Sequence, residues 1–386
     1  MSTYVFFWAT SLLSGLLIRR RLTTNFFLLF IFLFVGLRFE TGFDWPVYKR
    51  IHETFMDSFS LAEVVVVSAF SGQEVGFIFA LGLFSYYLQS FEAFQALVTI
   101  LLLWSTVFLA RAVNVQKVAM VIAIALAYLM WSVGFSTLRQ SMAISFFNFG
   151  LAYSIKRKRI PGIAFFTASI LFQVSSMIYI AAFLASRYIW STSRPPKLRT
   201  FLISAIGAAA LLPFALQAAS MASSIAAEKI AYYLQSGMAI RFGLFEIIFI
   251  AFFLAVAVLA SIRMSSPANE TSGVNDLRRL IMFLSAIGIS STFFPVMRDR
   301  VSYEVFLLIS IYLMAPGVRH RWHFTAFFTL FGLLNSVISI FPYPNRLAFE
   351  PYQNVVLSNV LGQESTGSER NEIFMEIHIE RMEAPR

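Results

Sequence analysis

Cysteine is absent from this 386-residue chain, and charged residues are scarce. The lack of cysteine excludes a disulfide framework and any thiolate metal or redox site. Only 13% of the residues are charged, whereas an ordinary soluble domain has roughly 25%. No stretch has the pattern of a nucleic-acid module, so the net charge of +10 does not indicate a nucleic-acid partner. We therefore do not expect a soluble globular protein.

Long apolar runs make up most of the chain. Hydrophobic residues account for 58% of it, and the mean hydropathy is +0.73. The runs lack the alternation of a membrane β-barrel, and helices satisfy their own backbone hydrogen bonds in a bilayer. The sequence predicts an all-α, polytopic membrane protein with about 13–14 complete or partial transmembrane helices and short loops. A single membrane domain is predicted over residues 1–355, followed by a polar C-terminal tail at 356–386.

Clusters of basic residues set the predicted orientation. The positive-inside rule places Arg19–Arg21 and Lys156–Arg159 in the cytoplasm and the segment Arg38–His52 outside. Both assignments hold only if residues 61–70 also cross the membrane, although this run is short for about 30 Å of hydrocarbon. That crossing places Glu74 toward the cytoplasm, whereas the motif to which Glu74 belongs favours a role in the site.

Three further segments carry topological predictions. Residues 160–190 are too long for one span and are predicted to form two short crossings or a hairpin, which meet near Gln173. Residues 263–279 contain Pro, Asn, Gly and Ser and are predicted to be a cytoplasmic linker. Residues 298–300 are predicted to form an external turn.

An unusual number of arginines falls on the predicted outer side. The charged residues assigned there are Arg38, Glu40, Asp44, Lys49, Arg50, Arg139, Arg241, Arg298, Asp299 and Arg300. External loops are normally poor in arginine, and guanidinium groups bind phosphate through paired hydrogen bonds. The set indicates an anionic ligand at the outer surface. The alternative is that these arginines form structural salt bridges with Asp44, Asp299 and Glu304.

Aromatic residues flank these charges. Trp45, Tyr48 and Tyr303 suit the faces of sugars, although an interfacial belt of Trp and Tyr is the alternative. Together the arginines and aromatics indicate a phosphorylated lipid that carries sugars. His52 is a weaker candidate for a base, because we expect a surface histidine on an interfacial loop to be incidental.

Four short motifs occur along the chain: Arg38, Gly42, Asp44, Trp45 and Tyr48, then Glu74–Phe77, Leu138–Ala143 and Phe172–Ser176. These motifs resemble those of the EpsG family, a branch of the Wzy-like polysaccharide polymerases. They occur in the order and spacing of the family. Gln173 stands where the family usually has histidine, so a histidine base cannot be carried over to that position.

The resemblance implies a GT-C-like, metal-independent glycosyltransferase, without a cofactor, in the bacterial inner (cytoplasmic) membrane. Such polymerases transfer a growing glycan from undecaprenyl pyrophosphate to the non-reducing end of another lipid-linked repeat unit at the periplasmic or outer face. The implied partners are undecaprenyl-pyrophosphate-linked oligosaccharide and the lipid bilayer. A chain-length regulator and a flippase are further candidate partners.

Such a transfer needs cations for the departing pyrophosphate and a proton acceptor for the attacking hydroxyl. The predicted pyrophosphate ligands are Arg139, Arg298 and Arg300, with Arg38 as a fourth candidate. Asp44 is the first candidate for the base or acceptor-orienting group, followed by Glu40 and Glu74. The predicted substrate-binding residues also include Tyr48, Gln140, Trp45, Gln173, Arg241 and Tyr303.

Two other functions share some of these features. A flippase or transporter of the same lipid would line a path to both membrane faces, whereas the charges here gather outside. An O-antigen-ligase-like transferase uses similar chemistry but has a large external loop, which this sequence lacks.

Overall fold

The computed structural model describes residues 2–18, 21–189, 201, 207, 244–261, 272–292, 294–318, 321–340, 345–350, 352–356 and 367–383. Within these ranges the chain forms fifteen α-helices and no β-strand. The predicted all-α fold is confirmed.

Most of the helices follow the apolar runs, whereas α3 and α15 have polar sequences. In chain order they are α1 (Ser2–Leu17), α2 (Arg21–Val35), α3 (Trp45–Thr54), α4 (Leu61–Ser71), α5 (Val75–Leu88), α6 (Phe91–Ala112), α7 (Val118–Leu129), α8 (Leu138–Ile155), α9 (Arg159–Phe172), α10 (Met177–Ile189), α11 (Leu244–Ser261), α12 (Ser272–Ser290), α13 (Pro295–Leu313), α14 (Arg321–Ile340) and α15 (Gly367–Glu383). A π-helical segment, Met130–Ser136, continues α7. The predicted helix break near Gln173 is confirmed, because α9 ends at Phe172 and α10 begins at Met177.

Contacts divide the chain into two units, which are described separately. The first unit is Met1–Ser176 with Thr329–Arg386, and the second is Met177–Phe328. One boundary falls between Ser176 and Met177, and the other falls within α14. The predicted single membrane domain over residues 1–355 stays a prediction.

Two apolar cores hold the first unit together. One is built on α1, α2 and α7 and includes Ala348 and Phe349 from the C-terminal segment. The other joins α3, α4, α5, α6 and α8 and includes Trp45 and Tyr48. Because the buried aromatic residues of α3 pack in the second core, they fix the position of the C-terminal end of the preceding loop.

One described helix, α6, is long and apolar enough to cross a bilayer by length and composition. Its 22 residues correspond to about 33 Å at 1.5 Å per residue. Eight shorter apolar helices accompany it among the described residues. The 11 residues of α4 span about 16 Å, with Leu61 and Phe70 strongly exposed. The number of crossings, including that of residues 61–70, stays a prediction.

The structure corrects two loop predictions in the second unit. The second half of the predicted linker at 263–279 is helical, because α12 begins at Ser272. Val274, Leu277 and Ile281 recur at helical spacing and are buried. Their apolar periodicity favours a helix even though polar residues lie between them. The predicted turn at 298–300 is also wrong. These residues lie in α13, which Pro295 starts at a position where proline favours a helix.

Candidate active site

The loop between α2 and α3 is held by the C-terminal segment of the same unit. Phe39 N donates to Gln353 O at 3.0 Å, and Gly42 N donates to Ala348 O at 2.9 Å. Val355 N donates to the carbonyl oxygen of Leu37, near the start of the loop, at 2.9 Å. These backbone hydrogen bonds to the C-terminal segment therefore fix the path of the loop that carries the first motif, Arg38–Tyr48.

Arg38 lies inside this arrangement rather than at its surface. Its side chain is fully buried, and Nη1 donates to Val35 O at 2.7 Å. Burial lowers the pKa of Arg38 to about 9, an effect that Tyr352 and Tyr4 oppose. The guanidinium therefore ties the end of α2 to the loop.

Asp44 is the last residue before α3, and its carboxylate is directed along the helix. It does not cap the helix through its side chain. Instead, Tyr48 donates its hydroxyl hydrogen to Asp44 Oδ2 at 3.1 Å, one helical turn away. Burial raises the pKa of Tyr48, and the negative charge of Asp44 raises it further. Tyr48 is therefore a neutral phenol that orients the half-buried carboxylate.

Arg139, the second residue of α8, connects the first motif to the second. Its Nε donates to the Tyr48 hydroxyl oxygen at 3.3 Å, and its Nη1 lies 2.5 Å from Glu74 Oε2. The other carboxylate oxygen, Glu74 Oε1, accepts from Val174 N at 3.4 Å. We name the chain of Asp44, Tyr48, Arg139, Glu74 and Val174 N the motif network. It brings the four motifs of the sequence together.

The two charged residues at the centre of the motif network are partly accessible. The side chain of Arg139 is 18% exposed, and that of Glu74 is 13% exposed. Glu74 occupies one edge of the guanidinium, so Arg139 is held in one orientation while part of its surface stays open. A fixed, partly desolvated guanidinium suits the recognition of a phosphate-bearing ligand.

Two features that support the network were not found from the sequence. Phe43 N donates to Ser136 Oγ at 3.2 Å, so the end of the π-helical segment fixes the loop next to the start of α8. Such π segments often occur at functional sites. In addition, a Cβ at Gly76 would lie 2.6 Å from Leu171 O. Glycine at this position therefore lets α5 approach α9 and brings Glu74 to Val174 N.

The other predicted residues of the first unit are largely buried. Gln140 and Gln173 are 2% and 3% exposed, respectively. Trp45 packs edge-on against Phe91 within the second apolar core. Glu40 has a positive φ of 47°, and its carbonyl oxygen accepts from Asn371 Nδ2 of α15 at 3.2 Å.

His52 is not the surface residue that the sequence predicted. It is buried, and its Nδ1 lies 2.6 Å from Ser85 Oγ of α5. Burial lowers the pKa of His52, and the positive charge of Lys49 lowers it further. The apolar side of α3 carries His52 into the core together with Tyr48 and Ile51.

Arg298, Arg300 and Tyr303 belong to the second unit. Arg298 is buried between two acids, with Nε 2.9 Å from Asp299 Oδ1 and Nη1 3.3 Å from Glu246 Oε1. Its guanidinium also lies over the ring of Phe249 at 4.3 Å. Arg241 lies outside the described residues. Tyr303 is partly buried, and the carbonyl oxygen of Arg300 accepts from the Tyr179 hydroxyl at 2.8 Å.

No group of three or more His, Asp or Glu side chains that could hold a metal ion occurs in the part of the chain that the structure describes.

The fold and the site define an all-helical protein with many apolar helices, in which a charged network joins four separated motifs. The sequence model of the EpsG family matches residues 21–354, nearly the whole chain, and the chain belongs to that family. At family level it is a bacterial membrane protein of polysaccharide biosynthesis and a Wzy-like polysaccharide polymerase that acts on a lipid-linked polysaccharide. No curated protein and no solved structure matches the chain.

Proposed function

We propose that this protein polymerises a surface or extracellular polysaccharide at the outer face of the bacterial cytoplasmic membrane. It transfers a growing glycan from undecaprenyl pyrophosphate to the non-reducing end of another lipid-linked repeat unit. The observation that carries the proposal is the motif network, because it places a carboxylate, a phenol and a fixed guanidinium in one hydrogen-bonded series.

In the proposed reaction, the acceptor hydroxyl oxygen forms a bond with the anomeric carbon of the growing glycan. The bond from that carbon to the pyrophosphate oxygen breaks, and its electron pair leaves with the phosphate. Asp44 accepts the proton of the attacking hydroxyl. The hydrogen bond from Tyr48 holds the Asp44 carboxylate in place.

Arg139 supplies positive charge for the departing lipid pyrophosphate. Preorganised cations stabilise such developing charge most effectively when they do not need to reorient during the reaction. Glu74 and Tyr48 provide this orientation through their contacts with the guanidinium. This charge neutralisation by arginine fits a metal-independent reaction.

Arg298 is proposed as a further pyrophosphate ligand, but it ranks below Arg139. Its guanidinium already faces Asp299 and Glu246. Two adjacent carboxylates reduce the net attraction of this site for an anion. The ion pairs of Arg298 with Asp299 and Glu246 must therefore rearrange before Arg298 can bind phosphate.

Replacement of Arg139 by alanine tests the proposal. We expect Arg139→Ala to lower the rate of polymerisation about 10²–10³-fold, as the loss of a group that stabilises developing charge does. The assay measures chain-length distribution after the purified, reconstituted protein is mixed with lipid-linked repeat unit from cells that lack the polymerase. Long chains at the wild-type rate would contradict the assignment of Arg139.

Arg187→Ala provides the matched control. Arg187 forms an ion pair with Asp276 at 3.0 Å, but its side chain is 45% exposed. The same chemical change therefore removes an ion pair outside the motif network, and we expect polymer length to stay at the wild-type value. A flippase would move the lipid across proteoliposomes without lengthening its glycan, and that result would overturn the proposed function.

A further inference from the structure

The turn between α9 and α10 contains several polar atoms without partners. We name Gln173–Ser176 the Gln173 turn. Within it, Gln173 Oε1, Ser175 Oγ and Ser176 Oγ are enclosed and have no hydrogen-bond partner in the structure as described. Gln173 is 3% exposed and Ser176 is fully buried. Such unpaired groups are rare because each carries a desolvation cost.

Packing rather than these polar side chains sets the shape of the Gln173 turn. The helix stops because Gln173 is extended, with φ −159° and ψ 115°. Ser176 N closes the turn by donating to Gln173 O at 3.0 Å. One turn earlier in α9, Ser169 Oγ donates to Ala143 O of α8 at 2.8 Å. The backbone of the Gln173 turn therefore does not depend on hydrogen bonds from these unpaired side-chain atoms.

The Gln173 turn lies directly beside the motif network. Val174 N, in the middle of the turn, donates to Glu74 Oε1, and Glu74 Oε2 pairs with Arg139. A molecule whose anionic part meets Arg139 would therefore have its neighbouring part close to the Gln173 turn.

The chemistry of the turn selects hydroxyl groups over phosphate. Gln173 Oε1 is an acceptor and needs a donor, which a phosphate oxygen cannot supply, whereas serine hydroxyls both donate and accept. Sugar hydroxyls provide matching donors and acceptors at short spacing. We propose that the Gln173 turn is a sugar subsite for the glycan of the lipid-linked substrate, separate from the pyrophosphate ligand Arg139. This inference rests on the proposed function.

Two probes separate sugar binding from pyrophosphate binding. One is the lipid-linked repeat unit isolated from cells that lack the polymerase, and the other is undecaprenyl pyrophosphate without sugar. We expect Gln173→Met to weaken binding of the glycan-bearing probe about three- to tenfold, the effect of one net hydrogen bond. Binding of the bare lipid pyrophosphate should stay unchanged.

Gln95→Met is the matched control. Gln95 is also a buried glutamine, and its Oε1 also lacks a partner in the described structure. Because it lies within α6 rather than in the Gln173 turn, the same substitution should leave the binding of both probes unchanged. Thermal unfolding midpoints of the two variants show whether each protein is folded.

Further variants keep the inference testable if Gln173→Met does not fold. Gln173→Glu retains an acceptor oxygen and is expected to keep more affinity for the glycan-bearing probe than the methionine variant. Ser175→Ala and Ser176→Ala should each weaken the same probe selectively.

Equal affinity of wild type and folded turn variants for the glycan-bearing probe would overturn the sugar subsite, as would equal weakening of both probes. Failure of the wild-type protein to lengthen the lipid-linked unit would overturn the proposed function instead. The two failures are therefore distinguishable.

Discussion

At the scale of single residues, the position of an arginine relative to its acids decides what it can do. Arg139 faces one carboxylate and a phenol and remains partly exposed, whereas Arg298 is buried between two carboxylates. The sequence places both among the candidate pyrophosphate ligands because both are arginines on the predicted outer side. Their different neighbours become visible only after folding.

Burial is the residue property that sequence reasoning missed most clearly. The sequence offered Arg38 as a ligand and His52 as a surface residue, yet both are buried. Arg38 contacts the end of its own preceding helix, a local bond that a residue pattern does not specify. Whether Arg38 also contributes to ligand binding stays a prediction.

The buried histidine predicts an acid sensitivity of folding. The pKa of His52 is lowered in the folded protein, whereas an unfolded histidine titrates near about 6.5. As the pH falls below that value, the unfolded chain binds a proton first, so the stability of the folded state decreases. Titration of this one histidine can lower the free energy of unfolding by at most about 1.4 kcal/mol per pH unit.

We expect His52→Gln to reduce the fall in the unfolding midpoint between pH 7.5 and pH 5.5, measured in detergent. His323 is exposed, and His323→Gln serves as the control without this effect. If His52→Gln and wild type lost equal stability on acidification, His52 would not be a source of the acid sensitivity.

At the scale of elements, the close contact of α5 with α9 supports the motif network. The first turn of α5 contains Gly76, and a methyl group there would meet the backbone of Leu171. We expect Gly76→Ala to push the helices apart, lengthen the contact from Val174 N to Glu74 and lower the polymerisation rate at least about tenfold. The midpoint of unfolding should also decrease.

Gly134→Ala is the control for this steric effect. A Cβ at Gly134 would meet its nearest neighbour at 3.4 Å, an ordinary contact distance. Both variants are compared by rate and by thermal unfolding at equal protein amounts. A fully active Gly76→Ala protein would show that the contact between α5 and α9 is not required.

Helix α15 supports the first motif from the opposite end of the chain. Arg370 donates through Nη1 to Leu347 O at 3.0 Å and to Glu350 O at 2.5 Å, and through Nη2 to Gln353 Oε1 at 3.2 Å. A Cβ at Gly367 would lie 2.2 Å from Glu40 Cβ, so the helix approaches the loop closely.

We expect Arg370→Gln to destabilise the first unit by about 1–3 kcal/mol, because partly buried carbonyl groups lose a charged donor. We measure the rates of proteolysis and polymerisation, and we expect proteolysis to be faster and polymerisation slower than in the wild type. Glu372 is an exposed residue of the same helix, and Glu372→Gln should behave as wild type. Loss of activity in both variants would indicate a general effect of charge in α15 rather than the Arg370 contacts.

Apolar runs predict the helices well because each run ends at polar or small residues. Helix α4, for example, begins after Ser60, whose side chain accepts from Glu63 N, and ends before Gly72 in the left-handed conformation. Tertiary contacts of short or polar elements are harder to predict. The packing of α15 on the Glu40 loop and the π-helical segment depend on distant residues, which no local period reveals.

At the scale of the whole molecule, residues from separate sequence motifs meet in the first unit, and their assigned roles stay predictions. Asp44, Tyr48, Glu74 and Arg139 are up to 95 residues apart and form one network. The division into two units was not predicted, because hydrophobicity marks helices without showing which helices share a core. Arg298 lies in the second unit, whereas the motif network lies in the first.

The orientation of the molecule is the remaining whole-chain prediction, and the absence of cysteine makes it directly testable. Asp57 follows α3, and Lys158 precedes α9; both are exposed. If the positive-inside rule holds, a membrane-impermeant thiol reagent added to intact spheroplasts should label Asp57→Cys but label Lys158→Cys only after permeabilisation. Asp44, Tyr48 and Arg139 would then lie on the outer side with Asp57, where we propose that the lipid-linked glycan is polymerised. Labelling of Lys158→Cys in intact spheroplasts, together with protection of Asp57→Cys, would reverse the topology and remove the basis for an outer-face reaction.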